Sequence, residues 1–373
     1  MGRILSVVWY KVFPAVFGGQ KGIASFSEHL GKYHELTMLC SRDNTNVATT
    51  YAVVATLPTG RLQVLAPWNW LKIYQQSRHI SATHLLLEHC YYGIAGILAK
   101  SFAGLRLILH EHNIESERFR QMGKWWWPLL FVLERQTCRN ADLILFKTKE
   151  DMVFAISRFG IVPDKCMIVP FGTERSAIPT QEEKASAREI IRERHQIVKG
   201  TRIFLFSGTL DYAPNAEALE SLVTEIIPAL REKSLQPFKL IACGRIRDQR
   251  FHHLTKLKDP DYIFAGEVSD ISEYLLGADL FLNPVTSGGG IKVKTMEALS
   301  FNLTVISARH SAVGIDVSVT GQKLRISADE DKGQFMENIL HSSSDDTDLP
   351  NDFFRVYNWD AILAPVAKKI ETL

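Results

Sequence analysis

Short apolar runs recur along the whole chain, and between them apolar positions return every three or four residues. Continuous apolar runs bounded by turn residues predict buried strands, and the longer spacing predicts helices. In the first half the expected strands are 4–9, 34–39, 51–55, 84–88, 105–109, 141–146 and 167–170. Helices are expected over 23–30, 70–78, 91–101 and 149–158, with one starting at 114 or 115 and another running through 134 and 135 to 138. In the second half strands are expected at 203–207, 238–242, 262–265, 278–282 and 304–307. Helices there are expected over 181–198, 216–229, 271–276, from 291 onward, and over 353–370, with a Ser/Asp-rich loop at 342–351. Strand and helix alternate in both halves. That pattern predicts an α/β chain of parallel sheets covered on both faces.

One stretch combines these signals with chemistry. After the run ending at Leu282 come Gly288, Gly289 and Gly290, then a helical pattern with Ile291, Met296, Ala298 and Leu299 as apolar positions. A strand, a glycine loop and a helix start form an anion cradle, because glycine lets the backbone approach a phosphate and the helix presents free N–H groups. Lys292 and Lys294 fall in the first turn, against the helix dipole, where stability alone favours acids. Glu297 follows Lys294 by three residues on nearly the same face. The stretch suits a diphosphate at one end and hydroxyls at the other. The plainer alternative is a glycine loop that only turns the chain.

Other candidates lie at strand ends, where α/β sheets bind ligands. Gly18 and Gly19 separate the first strand from its helix. His110 and His112 follow the strand at 105–109, either as site residues or as polar surface residues capping a helix. The segment Lys124-Trp125-Trp126-Trp127-Pro128 pairs a base with three indoles. Its indoles either pack on the domain core or meet a membrane interface or lipid-linked substrate.

Composition narrows the classes. With 373 residues, two domains are expected; 46% hydrophobic and 23% charged residues fit a globular protein. A net charge of +2 gives no reason to expect nucleic acid. Cys40, Cys90, Cys138, Cys166 and Cys243 are scattered and suit a reducing cytosol rather than a disulfide framework or zinc site. The N-terminus reads as a first strand rather than a secretory signal, and no apolar run is long enough to span a membrane. There is no GxGxxG after the first strand, no GxxxxGK[ST] and no GxSxG.

Several segments together resemble retaining glycosyltransferases of the GT-B fold, close to glycosyltransferase family 4. They are FLFSGTLDYAPN (204–215), LIACGR (240–245), FAGEVSDISEYLLGADLFLNPV (264–285) and SGGGIKVKTMEAL (287–299) in the second half. In the first half they are FGGQKG (17–22), LILHEHNIESERF (107–119) and VPFGTE (169–174), and YNWD (357–360) resembles the start of the family's last helix. The resemblance implies two Rossmann-like domains facing a cleft. An acceptor-side domain is expected at 1–175, joined by a C-terminal helix at about 354–373 that crosses back to it, and a donor-binding domain at 176–353. It implies transfer from a nucleotide-diphospho-sugar, with retention, to a glycan, lipid-linked or small-molecule acceptor, without metal or other cofactor. By position, Glu297 would accept the ribose hydroxyls, and Gly289 and Gly290 would meet the diphosphate or sugar. Lys294, with Lys292 second, would neutralise the leaving diphosphate. His112 would sit near the transferred sugar, and Gly18 and Gly19 would face the donor phosphates and acceptor. Gly208, Gly288 and Ile291 join the donor set, with Arg245 and Val268 as further positions. The expected setting is cytoplasmic, with peripheral contact at the inner membrane face through Trp125–Trp127 as one option.

Two departures stand out. The earlier of two glutamates common in the family falls on Gly289, and the usual Arg and Lys after the first C-domain strand fall on Thr209 and Asn215. Phosphate charge must then be met by Lys292, Lys294 or a helix terminus. The alternatives are a nucleotide-sugar epimerase of the same architecture and a non-catalytic nucleotide-sugar-binding protein.

Overall fold

The computed structural model describes every residue except 1, 16, 46, 61, 62, 65, 67, 289–292 and 343–346. The chain forms two compact units, 1–172 with 359–373, and 173–358.

Unit 1 holds a seven-stranded sheet in the order β3-β2-β1-β4-β5-β6-β7. Its strands are β1 (Arg3–Val7), β2 (Glu35–Ser41), β3 (Ala52–Leu57), β4 (His84–Glu88), β5 (Arg106–Glu111), β6 (Leu143–Phe146) and β7 (Cys166–Ile168). All pairings are parallel. β4 and β6 are buried at every position, which is why the centre of β4, LLL, and the whole of β6, LILF, read as apolar runs. The helices are α1 (Gly18–Leu30), α2 (Asn69–His79), α3 (Gly93–Ala103), α4 (Glu115–Gln121), α5 (Trp127–Asn140) and α6 (Lys149–Phe154). On one face Ile23, Phe26 and Leu30 of α1 share a core with Ile4, Leu86 and Ile108 of the sheet. On the other face Ile73 of α2, Ala95 and Ala99 of α3 and Cys138 of α5 pack on Leu5, Leu85 and Leu107.

Unit 2 repeats the scheme with six parallel strands in the order β10-β9-β8-β11-β12-β13. They are β8 (Arg202–Ser207), β9 (Phe238–Cys243), β10 (Tyr262–Gly266), β11 (Leu280–Asn283), β12 (Thr304–Ala308) and β13 (Leu324–Ser327). Helices α7 (Gln181–His195), α10 (Ile271–Gly277), α11 (Val293–Ser300) and α13 (Asn351–Tyr357) cover one face. Helices α8 (Ala213–Ser221), α9 (Ile227–Lys233) and α12 (Lys332–Leu340) cover the other. A last helix, α14 (Trp359–Glu371), belongs to unit 1 and buries Trp359, Leu363 and Val366 beside α1.

Three sequence expectations need correction. The expected helix over 353–370 is two helices, because Asn358 leaves helical geometry with ψ 136° and hydrogen-bonds the Arg175 carbonyl. The helix expected over 216–229 begins at Ala213, with Pro214 in its first turn, and is interrupted by a π turn over Leu222–Ile226. The helix expected from residue 23 starts at Gly18, so the glycine pair forms its first turn instead of a preceding loop.

Each sheet reverses its strand order once, between β1 and β4 in unit 1 and between β8 and β11 in unit 2. Loops diverge at such switch points and leave a crevice beyond the carboxyl ends of the strands.

Candidate functional site

At the switch point of unit 2, β8 ends in Ser207-Gly208 and β11 ends in Asn283. Helix α11 returns from the glycine loop and is anchored beneath it. Asn283 Nδ2 donates to Thr295 Oγ1 at 2.8 Å, Thr295 donates to the Ser311 carbonyl at 3.1 Å, and Ser311 donates to the Val285 carbonyl at 2.6 Å. Gly288 has φ +88°, and a Cβ there would lie 2.0 Å from the Tyr212 hydroxyl, so only glycine fits. His310 Nε2 donates to the Gly288 carbonyl at 2.6 Å and pins the entry to the loop. Nothing in the local pattern around His310 points to this role.

Lys294 and Glu297 are both half-buried on α11. The Lys294 ammonium donates to Asn215 Oδ1 at 2.9 Å and lies 4.6 Å from the centre of the Phe206 ring. Asn215 in turn donates to the Thr209 carbonyl at 2.9 Å. The chain thus brings Lys294 to Asn215 and Thr209, the two positions where the resemblance expects basic side chains. Gly208 packs close to Asn215, and its N–H donates to the Cys243 carbonyl. Arg245 leaves the end of β9 with its guanidinium 3.8 Å from Asp211. It lines a pocket of ≈ 390 Å³ with Gly244, Phe264, Gly266 and Glu267. Gly289, Gly290, Ile291 and Lys292 lie outside the described residues. A larger cavity of ≈ 930 Å³ sits at the opposite, amino end of the strands, among Arg202, Asp279 and Thr304, away from the switch point.

In unit 1 the carboxyl ends of β4, β5 and β6 bring together side chains that no local motif joins. His112 Nε2 donates to Glu88 Oε2 at 2.6 Å. An ionised carboxylate only accepts, so the proton sits on Nε2 and leaves Nδ1 as an acceptor. His110 Nδ1 lies 2.9 Å from the same oxygen but is not oriented to bond it. The His89 ring stacks on His112 at 4.3 Å. Burial, followed by the neighbouring His110, pushes the His112 imidazole down to about 3, and burial with Lys147 pushes His110 down to about 4. Both rings are therefore neutral at ordinary pH. Burial raises Glu88, but its histidine contacts outweigh that and hold it ionised. The compensating cation is Lys147, fully buried in the turn after β6 and pushed down by burial to about 8. Glu88, His110 and His112 present ligand atoms within 4.8 Å of one another, so the same three side chains could also hold a metal ion.

The HNIE segment is held by a second carboxylate. Glu134 of α5 accepts the Glu115 N–H at 2.6 Å, the Ser116 N–H at 3.1 Å and the Ser116 hydroxyl, which caps α4. Glu115 itself accepts from Tyr91 and Arg118. Gly18 and Gly19 open α1, where Gln20 Oε1 accepts the Phe17 N–H at 3.0 Å. The tryptophan triplet is split. Trp126 packs 4.5 Å from Phe119, Trp127 packs edge-on to Phe131, and Trp125 is 84% exposed.

Two family models match the chain. Glycosyltransferase Family 4 matches residues 17–176, and Glycosyl transferases group 1 matches residues 201–345. The chain belongs to the family-4 glycosyltransferases. The glycosyltransferase has no match among curated proteins. Its fold is that of the GT-B enzymes. Sucrose-phosphate synthase from Thermosynechococcus elongatus aligns over 100% of this chain and 99% of its own, with TM-score 0.75 and 13% identity. Anabaena HepE, solved with UDP and glucose, aligns over 100% of both chains with TM-score 0.71 and 15% identity. UDP-GlcNAc 2-epimerase from Methanocaldococcus jannaschii aligns over 100% of both chains with TM-score 0.59 and 12% identity. At these identities the likeness concerns the fold.

Proposed function

We propose that the glycosyltransferase moves a sugar from a nucleotide-diphospho-sugar to a glycan, lipid-linked or small-molecule acceptor with retention of configuration. The observation that carries this reading is the Lys294 ammonium held 2.9 Å from Asn215 Oδ1 at the β8/β11 switch point. A departing diphosphate needs a cation, and with Thr209 and Asn215 after β8 that cation comes from α11. Charge stabilisation of this kind is often the largest catalytic contribution, so no protein nucleophile is needed. Glu297, one turn along α11, accepts the ribose hydroxyls, and the pocket beside Arg245 takes the base. Gly208 and Gly288 keep the backbone open to the phosphates. The resemblance alone assigns Gly289, Gly290, Ile291 and Lys292 to the same group. His112 contacts the transferred sugar as a neutral imidazole, and Gly18 and Gly19 serve the donor phosphates and acceptor. HepE, solved with UDP and glucose, supports this donor class.

The test is a transfer assay over UDP-, GDP- and ADP-sugars, with the anomeric configuration of the product read by NMR. Lys294→Ala is expected to lower kcat roughly 100- to 1000-fold. Adding Asn215→Lys to that variant restores part of the loss, because the charge returns from the neighbouring side chain. Activity persists in the presence of a chelator. Wild-type turnover by Lys294→Ala would reject the assignment. Conversion of donor alone to an epimer would favour the epimerase reading, and donor binding without any turnover the non-catalytic one.

A further inference from the structure

Helix α7 carries Lys184, Arg188 and Arg192 at intervals of four residues, so the three cations lie along one face. Like charges at that spacing weaken a helix, and stability alone does not favour such a stripe. The stripe borders the cavity of ≈ 930 Å³ at the amino end of the unit 2 sheet. There Arg202 opens β8, Asp279 precedes β11, Thr304 opens β12 and Lys323 precedes β13.

Among the described residues, six Lys and Arg side chains and three acids line this cavity. Half of the bases are answered within the chain. Arg188 meets Asp279 at 2.8 Å, Arg192 meets Glu189 at 2.8 Å, and Lys233 lies 3.9 Å from Glu337. Arg202 donates to Ser342 at 2.9 Å and lies over the Phe204 ring. Lys323 is 6% exposed, with its ammonium 3.5 Å from Thr304 Oγ1. Lys184 differs from these. It is half-buried, and its ammonium has no hydrogen-bond or ion-pair partner among the described residues. Burial, followed by Lys323 and Arg188, pushes it below its ordinary value. The acids near it are engaged elsewhere, Asp279 by Arg188 and Asp348 by the Asn302 amide at 2.7 Å. A half-buried cation crowded by others costs stability unless an anion joins it.

We propose that this cavity binds a sugar phosphate, with the phosphate on the Lys184 ammonium and the buried Lys323 beside it. An ammonium binds phosphate as a point charge. The volume lies within the range of small-molecule sites and exceeds what one phosphate fills, so the ligand has a body. Gln181, Gln236 and Asn302 line the rest, and their amides match a hydroxylated body better than an apolar one. The Lys294 site lies at the carboxyl end of the same sheet, so the two sites do not compete.

The test is titration calorimetry and thermal unfolding of the full chain at fixed ionic strength, with glucose 6-phosphate, inorganic phosphate, sulfate and glucose as probes. Glucose 6-phosphate is expected to bind and raise the thermal midpoint, inorganic phosphate to do so more weakly, and glucose not at all. Lys184→Gln weakens binding roughly tenfold and, without ligand, raises the midpoint because the crowded cation is gone. Lys184→Arg retains binding, and Lys294→Ala binds as wild type does. No binding of either phosphate, equal binding by Lys184→Gln, or loss of binding in Lys294→Ala overturns the proposal. So does sulfate binding as tight as that of glucose 6-phosphate. Asp345 and Asp346 lie outside the described residues. If Asp345→Asn with Asp346→Asn lowers the midpoint while no phosphate binds to wild type, the chain supplies its own anion and the proposal fails.

Discussion

Glu111 ends β5 one residue before His112, and its side chain is buried with both carboxylate oxygens lacking a hydrogen-bond partner among the described residues. Burial, together with the charges of Glu134 and Glu115, raises it far above its ordinary value of 4.5, so it stays protonated in the folded chain. The unfolded chain releases that proton above 4.5. The folded state therefore binds one proton more, and stability falls as pH rises through the window above 4.5. Glu111→Gln keeps the shape and removes the ionisable group. Its stability advantage over wild type should grow as pH rises above the ordinary carboxyl range, by up to about 1.4 kcal/mol per pH unit. Chemical denaturation at several pH values measures this. A difference that stays flat or shrinks with rising pH would show that Glu111 ionises in place. The same residue shows why parts of the site were illegible in the sequence. His112 and Lys294 stood out through their neighbours in the chain, whereas Glu88 and Lys147 acquire meaning only when β4, β5 and β6 bring their ends together. Likewise the contact between Lys294 and Asn215 joins residues 79 positions apart.

At the scale of elements, the strands buried on both sheet faces were readable because continuous apolar runs have few other uses. β13 was not, since it is a four-residue edge strand, LRIS, with half-exposed Arg325 and Ile326. Helix α3 was readable as a helix, but periodicity did not tell which face was inward. Size decided it, with the small residues packing and the large ones exposed. Helix α11 was announced by its glycines, yet what fixes it is the buried Thr295 hydroxyl between Asn283 and Ser311. Thr295→Val preserves shape and leaves a buried amide and carbonyl short of a partner. It should destabilise the protein by about 1–3 kcal/mol. If Lys294 and Glu297 depend on that anchor, the variant also raises KM for the donor, whereas Thr295→Ser, which keeps the hydroxyl, restores both. Unchanged stability in Thr295→Val would mean the anchor contributes nothing measurable.

At the scale of the whole molecule, unit 1 is completed by residues from the far end of the chain. Trp359 is the hinge of that arrangement in energetic terms. It is 1% exposed, packs edge-on to Phe171 at 5.5 Å, and lies 5.7 Å from the buried Lys147 ammonium. The first turn of α14 is tied to α1 by Asp360, which accepts from Lys32 at 2.8 Å and contacts His29 at 2.7 Å. Asp360 and Lys32 are about half exposed, which weakens their tie, so the buried indole and Leu363, Val366 and Ile370 supply most of the docking energy. Trp359→Ala should cost about 3–5 kcal/mol. The loss should be local, because the indole packs against His29, Lys147, Phe171 and Gly172, which lie in unit 1. Hydrogen exchange should show α1 and β1 losing protection while β8, β11 and α11 keep theirs. Equal loss in both units would mean that the molecule unfolds as one cooperative body. No loss in α1 would mean that the C-terminal helix is dispensable for the core it covers.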